Sequence, residues 1–242
     1  ICREIEDINP THVLNAAGVT GRPNVDWCES HRPETIRANV IGTLNLADVC
    51  SARGIHCTIY ATGYVCLGVR VAVGRLYYFP NCRVLCPHQR EKGDHRANLW
   101  HPFLVQGRTR HVVNIPNSMT VLTDLLPVSL IMAERRLQGV FNFCNPGAIS
   151  HNEILDMYTK YIDPTFEYSN FTVDEQDKIL VAKRSNNTLD VSRMVDALPD
   201  VEIKDIHSAM EGVFGRMKTN LLADGILPDN LPKRACRPES TA

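Results

Sequence analysis

The chain has 242 residues, 44% of them hydrophobic and 22% charged, and a formal net charge of −1. That length can bury one large core or two modest ones, and a charge near zero excludes general attraction to nucleic acid or a membrane surface. Nine cysteines without regular spacing suit free thiols in a reducing compartment better than a disulfide framework, so a cytoplasmic location is expected.

The first element expected is a short buried strand over residues 11–18, Thr-His-Val-Leu-Asn-Ala-Ala-Gly, ending in small residues. Pro33 suits the first turn of a helix, on which Ile36, Val40, Leu44 and Ala47 share one apolar face and which Gly54 ends. A second strand, Ile55 to Ala61, closes on Thr62-Gly63. Strand, helix and strand in this order form a βαβ unit of a parallel sheet.

Residues 64–110 break the pattern. They hold eight Lys/Arg against Glu91 and Asp94, a charge of +6 that leaves −7 for the rest of the chain. No sustained helical period or clean alternation is found there after about Phe79, and the longest apolar stretch, 64–79, is interrupted by Arg70 and Arg75, too soon to span a bilayer. Cys82, Cys86 and His88 fit no standard zinc spacing and lack an evident fourth ligand, so no metal is expected. The segment reads as an aberrant basic stretch, either a replaced exon or a divergent insert.

Regular structure resumes with an apolar helix over 125–138, opened by Asp124 and stopped by Gly139. Val140 to Phe143 reads as a strand, and Asn145-Pro146-Gly147 as a turn. Ser150 with Glu153, and Thr172 with Glu175, are capping boxes that open two further helices. A last amphipathic helix presents Ile206, Met210, Val213, Phe214 and Met217, ahead of a proline- and charge-rich tail expected to be disordered. The class is α/β.

In an open parallel sheet, ligands bind beyond the carboxyl ends of the strands. Asn15-Ala16-Ala17-Gly18 is stripped of bulk there, as a cofactor ribose lying against backbone requires, although tight strand-to-loop packing demands the same residues. Thr62 offers a hydroxyl at the second strand end, where a structural cap is the alternative. Asn39 is a poor residue for a helix interior, and either bonds across to the strand or faces water.

Together, Asn15-Ala-Ala-Gly18, Asn39-Val-Ile-Gly42-Thr43 and Tyr60-Ala-Thr-Gly63 resemble the extended short-chain dehydrogenase/reductase superfamily. The run from Thr11 to Glu29 resembles more narrowly the bifunctional 3,5-epimerase/4-reductases that make UDP-L-rhamnose, which are similar to dTDP-4-dehydrorhamnose reductases. Val113-Asn-Ile-Pro-Asn-Ser118, Asn142-Phe-Cys-Asn-Pro-Gly147, Ser150-His-Asn-Glu153, Ser169-Asn-Phe171 and Arg184-Ser-Asn-Asn187 extend that resemblance over about 8–63 and 111–218.

The resemblance implies a partial Rossmann-like parallel sheet with a smaller C-terminal sugar-nucleotide-binding region. Residues 1–63 would be the remnant of an NAD(P)-binding domain, 64–110 the aberrant segment, 111–222 the sheet completion and substrate region, and 223–242 the tail. It implies Ala16, Ala17 and Gly18 along NADPH or NADH, with Asn39 supporting that wall. Thr62 would be the hydroxyl member of a Ser/Thr-Tyr-Lys set, and Arg184 would pair with a phosphate of the UDP-sugar. Neither nucleic acid nor a membrane is an expected partner, and a homodimer stays open.

The sequence departs from that pattern at three points. It holds no Gly-x-Gly-x-x-Gly between a strand and its helix, where a pyrophosphate would meet backbone N–H groups. No tyrosine is followed four positions later by lysine, the spacing that puts both side chains on one helical face. Tyr64 stands where the family carries a cysteine after Thr-Gly. Three readings remain at this level: an impaired epimerase/reductase, a non-catalytic nucleotide-sugar-binding or regulatory module, and a mis-spliced product without function.

Overall fold

A computed structural model describes residues 2–19, 27–61, 76–79, 110–179 and 188–225. Helix α1 (Cys2–Ile8) leads into strand β1 (His12–Asn15). A short helix α2 (Trp27–Ser30) precedes a continuous helix built of α3 (Arg32–Ile36), a π-helical stretch (Arg37–Gly42) and α4 (Thr43–Ala52). Pro33 lies in its first turn and Gly54, at φ +68°, follows its end, as their backbone preferences dictate.

Strand β2 (His56–Tyr60) runs parallel to β1, with His12 opposite His56 and Asn15 opposite Ile59. Strand β3 (Leu76–Phe79) pairs parallel with β2, and β5 (Gly139–Val140) pairs parallel with β3. The principal sheet therefore has the order β1-β2-β3-β5, all parallel. The basic segment supplies an interior strand of this sheet, β3. Strand β4 (Arg110–Val112) pairs parallel with β6 (Tyr168–Asn170) in a second, two-stranded sheet.

Helix α5 (Leu122–Glu134) buries Leu125, Val128 and Met132 against Phe141, Phe143, Met194 and Leu198. Its opening differs from the sequence expectation. The residue before its first turn is Val121, with no side-chain cap, and Asp124 lies inside that turn facing Lys204 (3.8 Å) and Arg216 (3.6 Å). The backbone N–H of Val121 is met instead by Asn145.

Both expected capping boxes form. Ser150 and Glu153 close theirs at the start of α6 (His151–Tyr161), and Thr172 and Glu175 exchange the equivalent bonds ahead of α7 (Val173–Ile179). After α8 (Ser192–Ala197), Asp205 accepts from the N–H groups of His207 and Ser208 to open α9 (Ile206–Ala223). Helices α6 and α9 pack through Ile154, Tyr158, Met210, Val213 and Phe214, a second core. A third lies under β1 and β2, where Ile5, Ala47, Cys50, Ile55, Cys57 and Ile59 meet.

One expected face is corrected. Of Ile36, Val40, Leu44 and Ala47, only Ala47 is buried, and the helix turns Ala47 and Cys50 to the sheet. The physical cause is the π-helical stretch. Its wider turn changes the phase of the helix, so a strict 3.6-residue period carried through from Ile36 loses the true inward face.

Candidate functional site

At the carboxyl end of β1 the chain leaves the sheet through a side-chain turn. Asn15 is buried and its Oδ1 accepts the N–H of Ala17 at 3.1 Å, which ends the ladder and bends the backbone outward. Ala16, Ala17 and Gly18 follow as exposed positions with little or no side chain. Asn39 fixes the far end of this strip. Its Oδ1 accepts from Val19 N at 2.7 Å and its Nδ2 donates to Val19 O at 2.8 Å, so one amide occupies both polar groups of one peptide residue. A Cβ added at Gly18 would stand 3.5 Å from Asn39 Oδ1, an ordinary contact.

Asn39 lies within the π-helical stretch, and that explains an otherwise poor choice of residue. Its amide is spent on the loop across from it and not on competing with its own helix. The structure thus decides between the two readings of Asn39: it bonds across to the segment after β1. The result is a strip of small, exposed residues at a strand's carboxyl end, the edge of an open parallel sheet where ligands bind.

The end of β2 is anchored from the other side. Tyr60 donates its hydroxyl to Ser129 Oγ at 2.7 Å, and Ser129 in turn donates to the carbonyl of Leu126 at 2.7 Å. This chain ties the residue two positions before Thr62 to helix α5. Thr62 itself, like Arg184, Tyr64 and the trio Cys82, Cys86 and His88, lies outside the described residues.

The described backbone resumes at residue 188 and is held at its next two positions. Ser118 Oγ accepts the N–H of Leu189 at 2.8 Å, and Asn142 Nδ2 donates to the carbonyl of Asp190 at 2.7 Å. Asn145 is the hub of this half. It is fully buried, and its amide accepts from Val121 N at 2.8 Å and donates to Lys204 O at 3.0 Å. Thr120 adds a bond to Phe143 O at 2.8 Å. Sequence reading found the Asn142–Gly147 motif but missed this joining role; the signal available was an asparagine between buried hydrophobics.

Burial decides the chemistry of several thiols. It pushes the Cys57 thiol up to about 12 and that of Cys144 to about 11, and it raises Cys50 as well. These sulfurs stay protonated at neutral pH and are packing groups, not nucleophiles. Among the described residues no cluster of His, Cys, Asp or Glu could hold a metal ion, and no helix is long and apolar enough to cross a membrane.

An all-parallel sheet flanked by helices, with a bare backbone wall at a strand's carboxyl end, defines a Rossmann-like dinucleotide-binding fold. Residues 1–66 match the NAD dependent epimerase/dehydratase family. The chain is 45% identical over 229 residues to the bifunctional dTDP-4-dehydrorhamnose 3,5-epimerase/dTDP-4-dehydrorhamnose reductase of Arabidopsis thaliana, covering 83% of this chain and 76% of that protein. It is 44% identical to a trifunctional UDP-glucose 4,6-dehydratase/UDP-4-keto-6-deoxy-D-glucose 3,5-epimerase/UDP-4-keto-L-rhamnose-reductase of the same plant, spanning only 34% of its length. The crystal structure of the L780 UDP-rhamnose synthase from Acanthamoeba polyphaga mimivirus superposes with a TM-score of 0.73 at 26% identity, over 90% of this chain and 85% of that one. A dTDP-4-dehydrorhamnose reductase from Bacillus anthracis shares the fold at 17% identity and a TM-score of 0.67. This chain belongs to the family of 4-keto-rhamnose 3,5-epimerase/reductases.

Proposed function

We propose that this chain holds a UDP-linked 6-deoxyhexose against a nicotinamide-side wall, in the family's role of 3,5-epimerisation and 4-keto reduction, with the reduction step impaired. The observation that carries the first part is the double bond from Asn39 to Val19. It keeps Ala16, Ala17 and Gly18 presented as bare backbone at the sheet's carboxyl edge. NADPH or NADH, when bound, supplies a hydride to the C4 carbonyl. The chain's own part is to orient that carbonyl, and Thr62 is the residue that would hold its oxygen through a hydroxyl. Arg184 would pair with the diphosphate through its planar guanidinium. Ser118 and Asn142 hold Leu189 and Asp190, five and six positions beyond Arg184 in the sequence.

The second part rests on chemistry that the sequence does not supply. A 4-keto reduction needs a proton delivered to the forming alkoxide, and general acid catalysis is worth about 10²–10⁴-fold. None of the seven tyrosines has lysine four positions on, the spacing that would set an ammonium one helical turn from a tyrosine to lower its pKa. Tyr60, the tyrosine nearest Thr62 on its amino-terminal side, has committed its hydroxyl to Ser129. The expected phenotype is binding with reduction slowed by that factor or more.

The test is to mix the purified chain with NADPH and UDP-4-keto-6-deoxyglucose and follow nicotinamide oxidation beside the bifunctional Arabidopsis relative. Slow or absent oxidation, together with a higher melting temperature in the sugar nucleotide, is the expected result. Oxidation at the relative's rate would overturn the impairment, and a folded chain whose melt ignores the sugar nucleotide would overturn the binding.

A further inference from the structure

Glycine at 139 is required by a neighbour as well as by its own backbone. Its φ is +113°, a value that residues with a side chain rarely adopt, and a Cβ there would fall inside the guanidinium of Arg193. Arg193, in the first turn of α8, fills the place of that missing side chain. Its Nη1 donates to the carbonyl of Val140 at 3.0 Å and its Nη2 to that of Gln138 at 3.3 Å. The cation also lies 4.8 Å from the centre of the Phe141 ring. One planar fork thus spans both carbonyls that flank Gly139.

The same short segment is tied at further points. Ser118 holds Leu189, Asn142 holds Asp190, and Asp190 Oδ1 accepts the N–H of Ser192 at 2.9 Å. Asp190, Ser192 and Arg193 are exposed, so water could satisfy their polar groups, and the net worth of each bond to stability is small. What these bonds fix is position. Ser118 and Asn142 belong to two of the stretches that resemble the sugar-nucleotide half, 113–118 and 142–147, and residues 189 and 190 join them. We propose that Arg193 is a positioning residue for the UDP-linked sugar. Seated at Gly139, it holds residues 189–193 against the sheet before the ligand arrives, and so lowers the ordering cost that binding must otherwise meet. The inference rests on the sugar-nucleotide reading above and adds to it a residue that acts through its neighbours.

The test is calorimetric titration of the full chain with UDP-L-rhamnose, paired with thermal melts. It compares the wild type with Arg193→Ala, Arg193→Lys and the double variant Arg193→Ala/Gly139→Ala. Arg193→Ala gives up two exposed bonds, and its dissociation constant should rise about 5- to 30-fold. Arg193→Lys keeps a cation without the fork, and should recover part of that loss. Adding Gly139→Ala to Arg193→Ala strains the backbone but removes no further contact of Arg193. The melting temperature should then fall while the affinity stays that of Arg193→Ala. A merely structural role predicts affinities equal to wild type wherever the chain is folded, and that result overturns the proposal. So does an affinity that falls again in the double variant along with its melting temperature. An Arg193→Ala chain that no longer melts cooperatively makes Arg193 a prop of the fold and overturns it as well. A folded wild type that takes up no UDP-L-rhamnose overturns the sugar-nucleotide reading itself, and this inference with it.

Discussion

Replacing Asn39 by alanine removes both side-chain bonds to Val19, at 2.7 and 2.8 Å, and leaves the Asn15 bond to Ala17 as the side-chain tie of the strip among the described residues. Both lost bonds lie at the surface, where water can take them over, so each costs toward the low end of the net range, about 0.5–1 kcal/mol. The sum of about 1–2 kcal/mol falls on the ordering of the wall, which the bound dinucleotide must supply in the variant. Expressed in binding, that is a roughly 5- to 30-fold weaker dissociation constant for NADPH, at 1.4 kcal/mol per decade. Asn39→Asp is the informative companion. It keeps an acceptor for Val19 N but turns a second oxygen toward Val19 O, so it should rescue little. Calorimetric titration with NADPH, paired with a thermal melt, reads affinity and stability separately. Equal NADPH affinity in Asn39→Ala and wild type would refute the clamp as the origin of the wall.

Other consequences are equally direct. Asn145→Ala leaves the buried N–H of Val121 without its partner, at about 1–3 kcal/mol, and removes a partly exposed bond to the Lys204 carbonyl, at about 0.5–1 kcal/mol, so the urea midpoint should fall by the equivalent of about 2–4 kcal/mol with an unchanged slope. Bonding to His207, then to the Ser150 backbone, holds the Glu153 carboxyl below its ordinary value. Its contribution is therefore complete above the unfolded pKa of about 4.3 and lost as pH falls through the lower folded value. Glu153→Gln should flatten the acid limb of the stability curve, modestly because the group is half exposed. Thiol labelling of the native chain at neutral pH should leave Cys57 and Cys144 unmodified until the protein unfolds, whereas labelling at the rate of a free thiol would contradict their burial.

The order of the principal elements was legible because local chemistry dictated it. Pro33 and Gly54 bounded the long helix, the two Ser/Thr–Glu pairs formed their boxes, and the strands around Val13 and Thr58 ran parallel as expected. What escaped notice depended on contacts distant in sequence. The π-helical stretch leaves no compositional mark, yet it turned Ile36, Val40 and Leu44 outward. Asp124 had the residue type of a cap, but the nearby Lys204 and Arg216 and the amide of Asn145 gave the carboxylate and the helix start other partners. At the site, the bare strip at Ala16–Gly18 was visible in side-chain size alone. Its clamp was only half visible, since Asn39 was recognisable as misplaced in a helix while its bond to Val19 spans twenty residues.

The most direct test is calorimetric titration of the full chain with UDP-L-rhamnose, a sugar nucleotide with no 4-keto group left to reduce. Saturable one-site binding, weakened by Arg184→Ala and accompanied by a rise in melting temperature, is the predicted result. A chain that melts cooperatively and takes up no UDP-L-rhamnose would contradict it.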